Sequence, residues 1–109
     1  IADAFAADKD VKGYTVTGQD AEKASVQYII DGKQSMTVFK DVRTLVKDAI
    51  TAAVTFLEGK VPTSTNTYNN GKIDVPASPS AVITVDKTNV KAALIDSGYY
   101  MATDFTGLP

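Results

Sequence analysis

The apolar residues of this chain change their spacing several times, and each change marks an element. Ile1, Ala4, Phe5 and Ala7 fall near helical spacing with Asp3 and Asp8 between them, and no capping residue precedes Ile1. The run KGYTVTG (12–18) sets β-branched residues between glycines and predicts a short buried strand with a turn at each end. Residues 21–30 return to helical spacing. Ala21, Ala24, Val26, Tyr28, Ile29 and Ile30 form a broad apolar face there, and Gly32 stands where a helix end favours a left-handed residue. In SMTVFK (35–40) the apolar residues fall on both faces, as in a parallel strand covered by helices on each side.

The most regular pattern follows. Val42, Leu45, Val46, Ala49, Ile50, Ala53, Val54 and Leu57 keep the i, i+3, i+4, i+7 rhythm from a capping Asp41 to Gly59. Residues 60–80 hold three of the four prolines, an Asn-Asn-Gly turn and many hydroxyls, which predicts a long irregular connection. Compact domains rarely carry such a loop without a functional or architectural reason. AVITV (81–85) predicts a third buried strand, and a last helix runs from about Thr88 to Asp96 and stops at Gly98. In the tail, Tyr99 and Tyr100 are expected to pack rather than to stack on a ligand.

Together these elements predict an α/β fold of parallel strands with helices on both faces. Three such strands leave two open edges and little core. With an uncapped first helix, they predict a chain that is stable only beside a companion chain or an upstream segment carrying the remaining strands.

Composition narrows the functional classes. The 11 basic and 13 acidic residues form no run of like charge, so the chain lacks the positive surface that nucleic acid requires. It contains neither Cys nor His. Disulfides, thiolate nucleophiles and the usual zinc sites are thereby excluded, as is every Ser-His or Cys-His arrangement. No metal, cofactor or catalytic residue is implied. The longest apolar-leaning stretch (45–57) contains Lys47 and Asp48 and is too short to span a bilayer.

Candidate chemistry concentrates at the corner TGQD, where the first strand meets the first long helix. Asp20 has two readings: a helix cap, or a carboxylate at the sheet end where ligands bind in open α/β folds. Lys40, closing the second strand, is either a solvated strand end beside Asp41 or a matching cation. Gln19 adjoins the corner and serves a turn or a ligand. Asp20 and Glu22 are two apart at a helix start, a poor spacing for a glycosidase carboxylate pair. The glycines before Asp20 fit no nucleotide-binding fingerprint.

In order along the chain, VTGQDAE, IIDGKQSMTVFKD, the Ala-rich helix ending LEGK, YNNGKIDVPA and KAALIDSGYY resemble the C-terminal part of type I periplasmic sugar-binding proteins of ABC importers. The D-xylose-binding and multiple-sugar-binding group is the most similar. The resemblance implies a portion of a two-lobed fold. Residues 1–35 would lie in the C-terminal lobe, with a hinge crossing at 36–41 and the helix of 42–60 in the N-terminal lobe. The chain would return through 61–80, and residues 81–109 would close the C-terminal lobe. It further implies that Asp20 and Lys40 contact a monosaccharide, with Gln19 near it. A membrane permease would be the partner, and the location extracytoplasmic, in the periplasm or lipid-anchored at the cell surface. The same fold also serves sugar sensing in membrane sensor systems and in transcriptional repressors, so fold alone leaves those readings open.

Overall fold

The computed structural model describes residues 1–109, which divide into two compact units: 1–40 with 82–109, and 41–81.

In the first unit, helix α1 (Ala2–Ala7) precedes strand β1 (Thr17–Gln19), helix α2 (Lys23–Ile30) and strand β2 (Met36–Phe39). β1 and β2 pair in parallel, with Thr17 opposite Met36 and Gln19 opposite Val38. β1 falls later than the run expected between Gly13 and Gly18, and it is exposed at Thr17 and Gln19 where a buried strand was expected, because it is an edge strand whose partner begins only at Met36; Ser35 gives one further backbone bond, to the Val16 carbonyl. α2 starts at Lys23 instead of residue 21, for a reason that lies in the corner described below. It ends as the sequence predicts, at Gly32 with a φ of +77°.

Strand β5 (Ile83–Val85) is the other neighbour of β2, giving the order β1-β2-β5. It runs antiparallel to β2, which corrects the expectation of three parallel strands. A parallel partner needs a crossover that packs back on the sheet. The chain between β2 and β5 instead forms the second unit, so nothing in the connection imposes a parallel direction. β5 is also less buried than expected, with only Val85 inside and Ile83 exposed.

The expected last helix appears as a π-helical segment, Lys91–Asp96 (α4), followed by a 3-10 turn at Ala102–Asp104. Val26 and Ile30 of α2, Phe39, Val85, Val90, Leu94 and Phe105 enclose the core together with Ala21. Tyr99 and Tyr100 pack against it, as their sequence context predicts. Phe39, Tyr99, Tyr100 and Phe105 form a chain of edge-to-face ring contacts, a favoured aromatic geometry.

In the second unit, α3 (Val42–Leu57) is capped by Asp41, whose carboxylate accepts a hydrogen bond from the Arg43 amide at 2.9 Å. None of its residues is buried. The connection at 60–80 is not irregular throughout: strands β3 (Asn66–Asn69) and β4 (Asp74–Ala77) pair antiparallel as a hairpin. Its turn is built by side chains. The Asn70 carboxamide oxygen accepts from the amides of Lys72 and Ile73, and Gly71 takes a φ of +88°. The hairpin escapes sequence reading because Asn and Asp disfavour strands and Pro76 lies within β4, tolerated in a pair whose outer edges are free.

Candidate functional site

The corner after β1 is held from both sides. On one face of the strand, Gly18 lies against the Gln34 carboxamide; an added Cβ would collide with Gln34 Nε2 and come within 3.2 Å of Ser25 Oγ. Gln34 is itself buried, donating to Ser25 Oγ at 2.6 Å and to the Met36 carbonyl at 3.0 Å. Gly18 is therefore needed for close approach within the strand; the sequence suggests a turn there instead. Gln19 alternates to the other face and is exposed.

Asp20 extends the ladder by one bond, its amide donating to the Val38 carbonyl at 2.7 Å. The backbone then turns through two left-handed residues, Asp20 at φ 76° and Ala21 at φ 50°. Asp visits this region readily, whereas Ala does so at a cost of about 1–2 kcal/mol. Ala21 is completely buried. Its amide donates to Thr37 Oγ1 at 3.3 Å, and its carbonyl accepts from the Tyr100 hydroxyl at 3.0 Å. Burial, followed by the neighbouring Tyr99, raises the Tyr100 phenol above its usual range against the opposing pull of Lys23. The hydroxyl thus keeps its proton and donates.

The turn accounts for the late start of α2. Glu22 occupies the N-cap position without a side-chain cap bond, and Asp20 caps nothing. Its Oδ1 faces Lys40 Nζ at 2.7 Å. Lys40 does not turn to its neighbour Asp41, whose carboxylate is engaged by the Arg43 guanidinium. The Asp20 and Lys40 side chains are 60% and 33% exposed, so the pair contributes at most about 1 kcal/mol to stability. It presents a charged acceptor beside a charged donor at the end of the sheet, a combination suited to hydroxyl groups that both donate and accept.

Of the three candidates read from sequence, Asp20 and Lys40 are brought together, while Gln19 is exposed beside them. Sequence reasoning missed Thr37 and Tyr100 as supports of the corner. A signal for Thr37 existed: it shares the face of Phe39 two positions on, and a hydroxyl on a buried face needs a partner.

No group of three or more His, Cys, Asp or Glu side chains is arranged to hold a metal ion. No helix is long and apolar enough to cross a membrane. A cavity of about 890 Å³ lies within the second unit, between α3 residues such as Leu45, Asp48 and Ala52 and the segments holding Val61, Pro62 and Ser80. It is open and lined by Lys47, Asp48, Lys60 and several hydroxyls as well as by apolar residues, and none of Gln19, Asp20 and Lys40 lies in its walls.

The fold is that of part of a periplasmic solute-binding protein. Over 99% of its length the chain superposes on 32% of the carbohydrate transporter solute-binding protein of Chloroflexus aurantiacus, crystallised in complex with D-glucose, with a TM-score of 0.89 and 74% identity. An ABC transporter solute-binding protein from Clostridium phytofermentans with bound β-D-glucose matches with a TM-score of 0.78 and 38% identity, over 94% of this chain and 32% of that one.

Curated relatives agree. The multiple sugar-binding periplasmic receptor ChvE of Rhizobium radiobacter is 46% identical over 80% of the chain, and the D-xylose-binding periplasmic protein of Escherichia coli is 36% identical over 82%. These alignments cover 25% and 27% of those proteins, so the chain spans about a quarter of the length of the relatives it matches. No family model matches the chain. The homologues are sugar-binding transport proteins, and the resemblance read from the sequence is to the proteins that these comparisons find.

Proposed function

We propose that the chain is the C-terminal portion of an extracytoplasmic, non-enzymatic sugar-binding component of an ABC importer. Its ligand is a monosaccharide of the glucose or xylose kind, and Asp20 and Lys40 bind it directly with Gln19 alongside. The reading is carried by one observation: the Asp20–Lys40 pair, which neither caps a helix nor stabilises the fold appreciably, is presented by a strained and buried corner. The relatives' periplasmic names support the location, and their transporter titles support a membrane permease as partner. In the same reading, residues 1–35 and 81–109 belong to the C-terminal lobe. Residues 42–60 belong to the N-terminal lobe, with the crossings at 36–41 and 61–80. The exposed apolar face of α3 is covered by a companion segment that carries the rest of that lobe.

The test is calorimetry with D-glucose and D-xylose on the full protein that contains these residues. Asp20→Asn keeps a residue that tolerates the left-handed backbone and removes the charge. It is expected to weaken binding of the preferred sugar by at least about tenfold, the size of a lost charged hydrogen bond. Unchanged affinity for both sugars would remove Asp20 from the site.

A further inference from the structure

Every positive φ in this chain belongs to a glycine except at Asp20 and Ala21. Ala21 is the anomaly of the two. It has no side chain with which to stabilise a left-handed backbone, and glycine would adopt the same turn without strain. Two bonds from separate parts of the chain hold it instead: the Thr37 hydroxyl oxygen accepts from its amide, and the Tyr100 hydroxyl, seventy-nine positions along the sequence, donates to its carbonyl. Both peptide groups adjoining Ala21 are thereby fixed. The preceding one leads directly to Asp20, and Thr37 lies on the strand whose end carries Lys40.

Resting on the reading that Asp20 binds the sugar, we propose that Thr37 and Tyr100 are positioning residues. They latch Ala21 in its left-handed conformation and so set the Asp20 carboxylate at hydrogen-bonding distance from Lys40. Without the latch, Ala21 relaxes toward negative φ and the direction of the chain at Asp20 changes. The aromatic row from Phe39 through Tyr99 to Tyr100 and Phe105 fixes the Tyr100 ring, so the tail takes part in the site without touching the ligand.

The experiment uses the full protein, with D-glucose and D-xylose titrated calorimetrically and thermal unfolding recorded for every variant. Tyr100→Phe removes one hydroxyl and keeps the ring. It is expected to weaken sugar binding about five- to tenfold, and Thr37→Val is expected to act in the same direction. Adding Ala21→Gly to either variant is expected to restore affinity to within about twofold, because glycine holds the turn unaided. A loss caused merely by damaged packing would not be rescued by removing a further buried methyl group. Persistence of the loss in the Ala21→Gly background overturns the latch, as does unchanged affinity in both single variants. Should Tyr100→Phe fail to fold, Thr37→Val with and without Ala21→Gly decides alone. Asp20→Asn separates the two levels. If it weakens binding while Tyr100→Phe and Thr37→Val do not, the latch fails and the site stands. If it leaves binding unchanged, the site fails and the latch with it.

Discussion

The two units of this chain are built on opposite terms. The first has short strands, a two-turn helix and a π-helical segment, yet it encloses Val26, Phe39, Val85, Val90 and Leu94 almost completely. The second has a 16-residue helix with a side-chain cap and a well-made hairpin turn, and no residue of that helix is buried. Val42, Val46, Ile50, Val54 and Leu57 stand exposed along the helical face that the sequence marks as apolar. Local signals are sufficient to make a helix or a hairpin, but burial depends on what the apolar face meets. This exposed apolar face is the surface that the companion segment proposed above would cover.

The sharpest way to break this contrast is to truncate one large apolar residue in each unit. Phe39→Ala removes a ring that is 2% exposed and is expected to cost about 3–5 kcal/mol of stability in denaturant unfolding. Ile50→Ala, at a position 59% exposed, is expected to change stability by less than about 0.5 kcal/mol in the 109-residue polypeptide. With the proposed companion segment present, the Ile50 effect should rise toward that of a core residue. Equal costs in the polypeptide alone would mean that the α3 face is already covered there.

A smaller effect compares glycines that are required for different reasons. Gly18→Ala forces a Cβ into the buried Gln34 carboxamide and is expected to cost about 1–3 kcal/mol, through displaced hydrogen bonds and overpacking. Gly71→Ala meets no atom within 4 Å, and only its φ of +88° opposes the change, so about 1 kcal/mol is expected. Melting curves of the two variants read the difference, and a reversed order would show that the Gln34 clamp yields easily.

How much was legible follows the same division between local and distant causes. Asp41, Gly32, Gly59 and Gly98 punctuate the helices where sequence reading expects them, because caps and left-handed ends are set by the residues that form them. The direction of β5 was not legible. A short apolar run such as AVITV predicts a strand and is silent about whether it runs with or against its neighbour. Nor was the left-handed turn at Asp20. The spacing of Asp20 before a helix is that of a cap, and the left-handed turn that redirects it is held by Thr37 and Tyr100, whose approach is a tertiary event. Its pairing with Lys40 could be expected from the family resemblance, since no local pattern joins positions twenty apart.

The smallest expected effect tests whether α3 depends on its own cap in the way that an unpacked helix should. The Arg43 guanidinium holds the Asp41 carboxyl below the usual carboxylate value; burial opposes it, and the Arg43 and Thr44 amides add to the lowering. A carboxyl whose folded value is depressed binds its proton more readily in the unfolded chain. Its stabilising contribution is therefore complete above the ordinary value of about 3.9, and it is lost as pH falls from there through the lower folded value. α3 has no buried face to hold it within its own unit, so the helix itself should register that loss. Lowering the pH from about 5 to 2 is expected to reduce the helical circular dichroism of the polypeptide by an amount that Asp41→Ala reproduces at neutral pH, a change worth about 1 kcal/mol. In the Asp41→Ala variant the acid-induced change at α3 should be smaller. Residue-resolved chemical shifts for Val42–Leu57 separate it from the carboxylates of the first unit, where Asp104 is likewise lowered by Lys23 and Asp86 by Thr88. If α3 keeps its full helical signal at pH 2, or if Asp41→Ala leaves it untouched at neutral pH, the helix is being held by packing on its apolar face, and the contrast between the two units disappears.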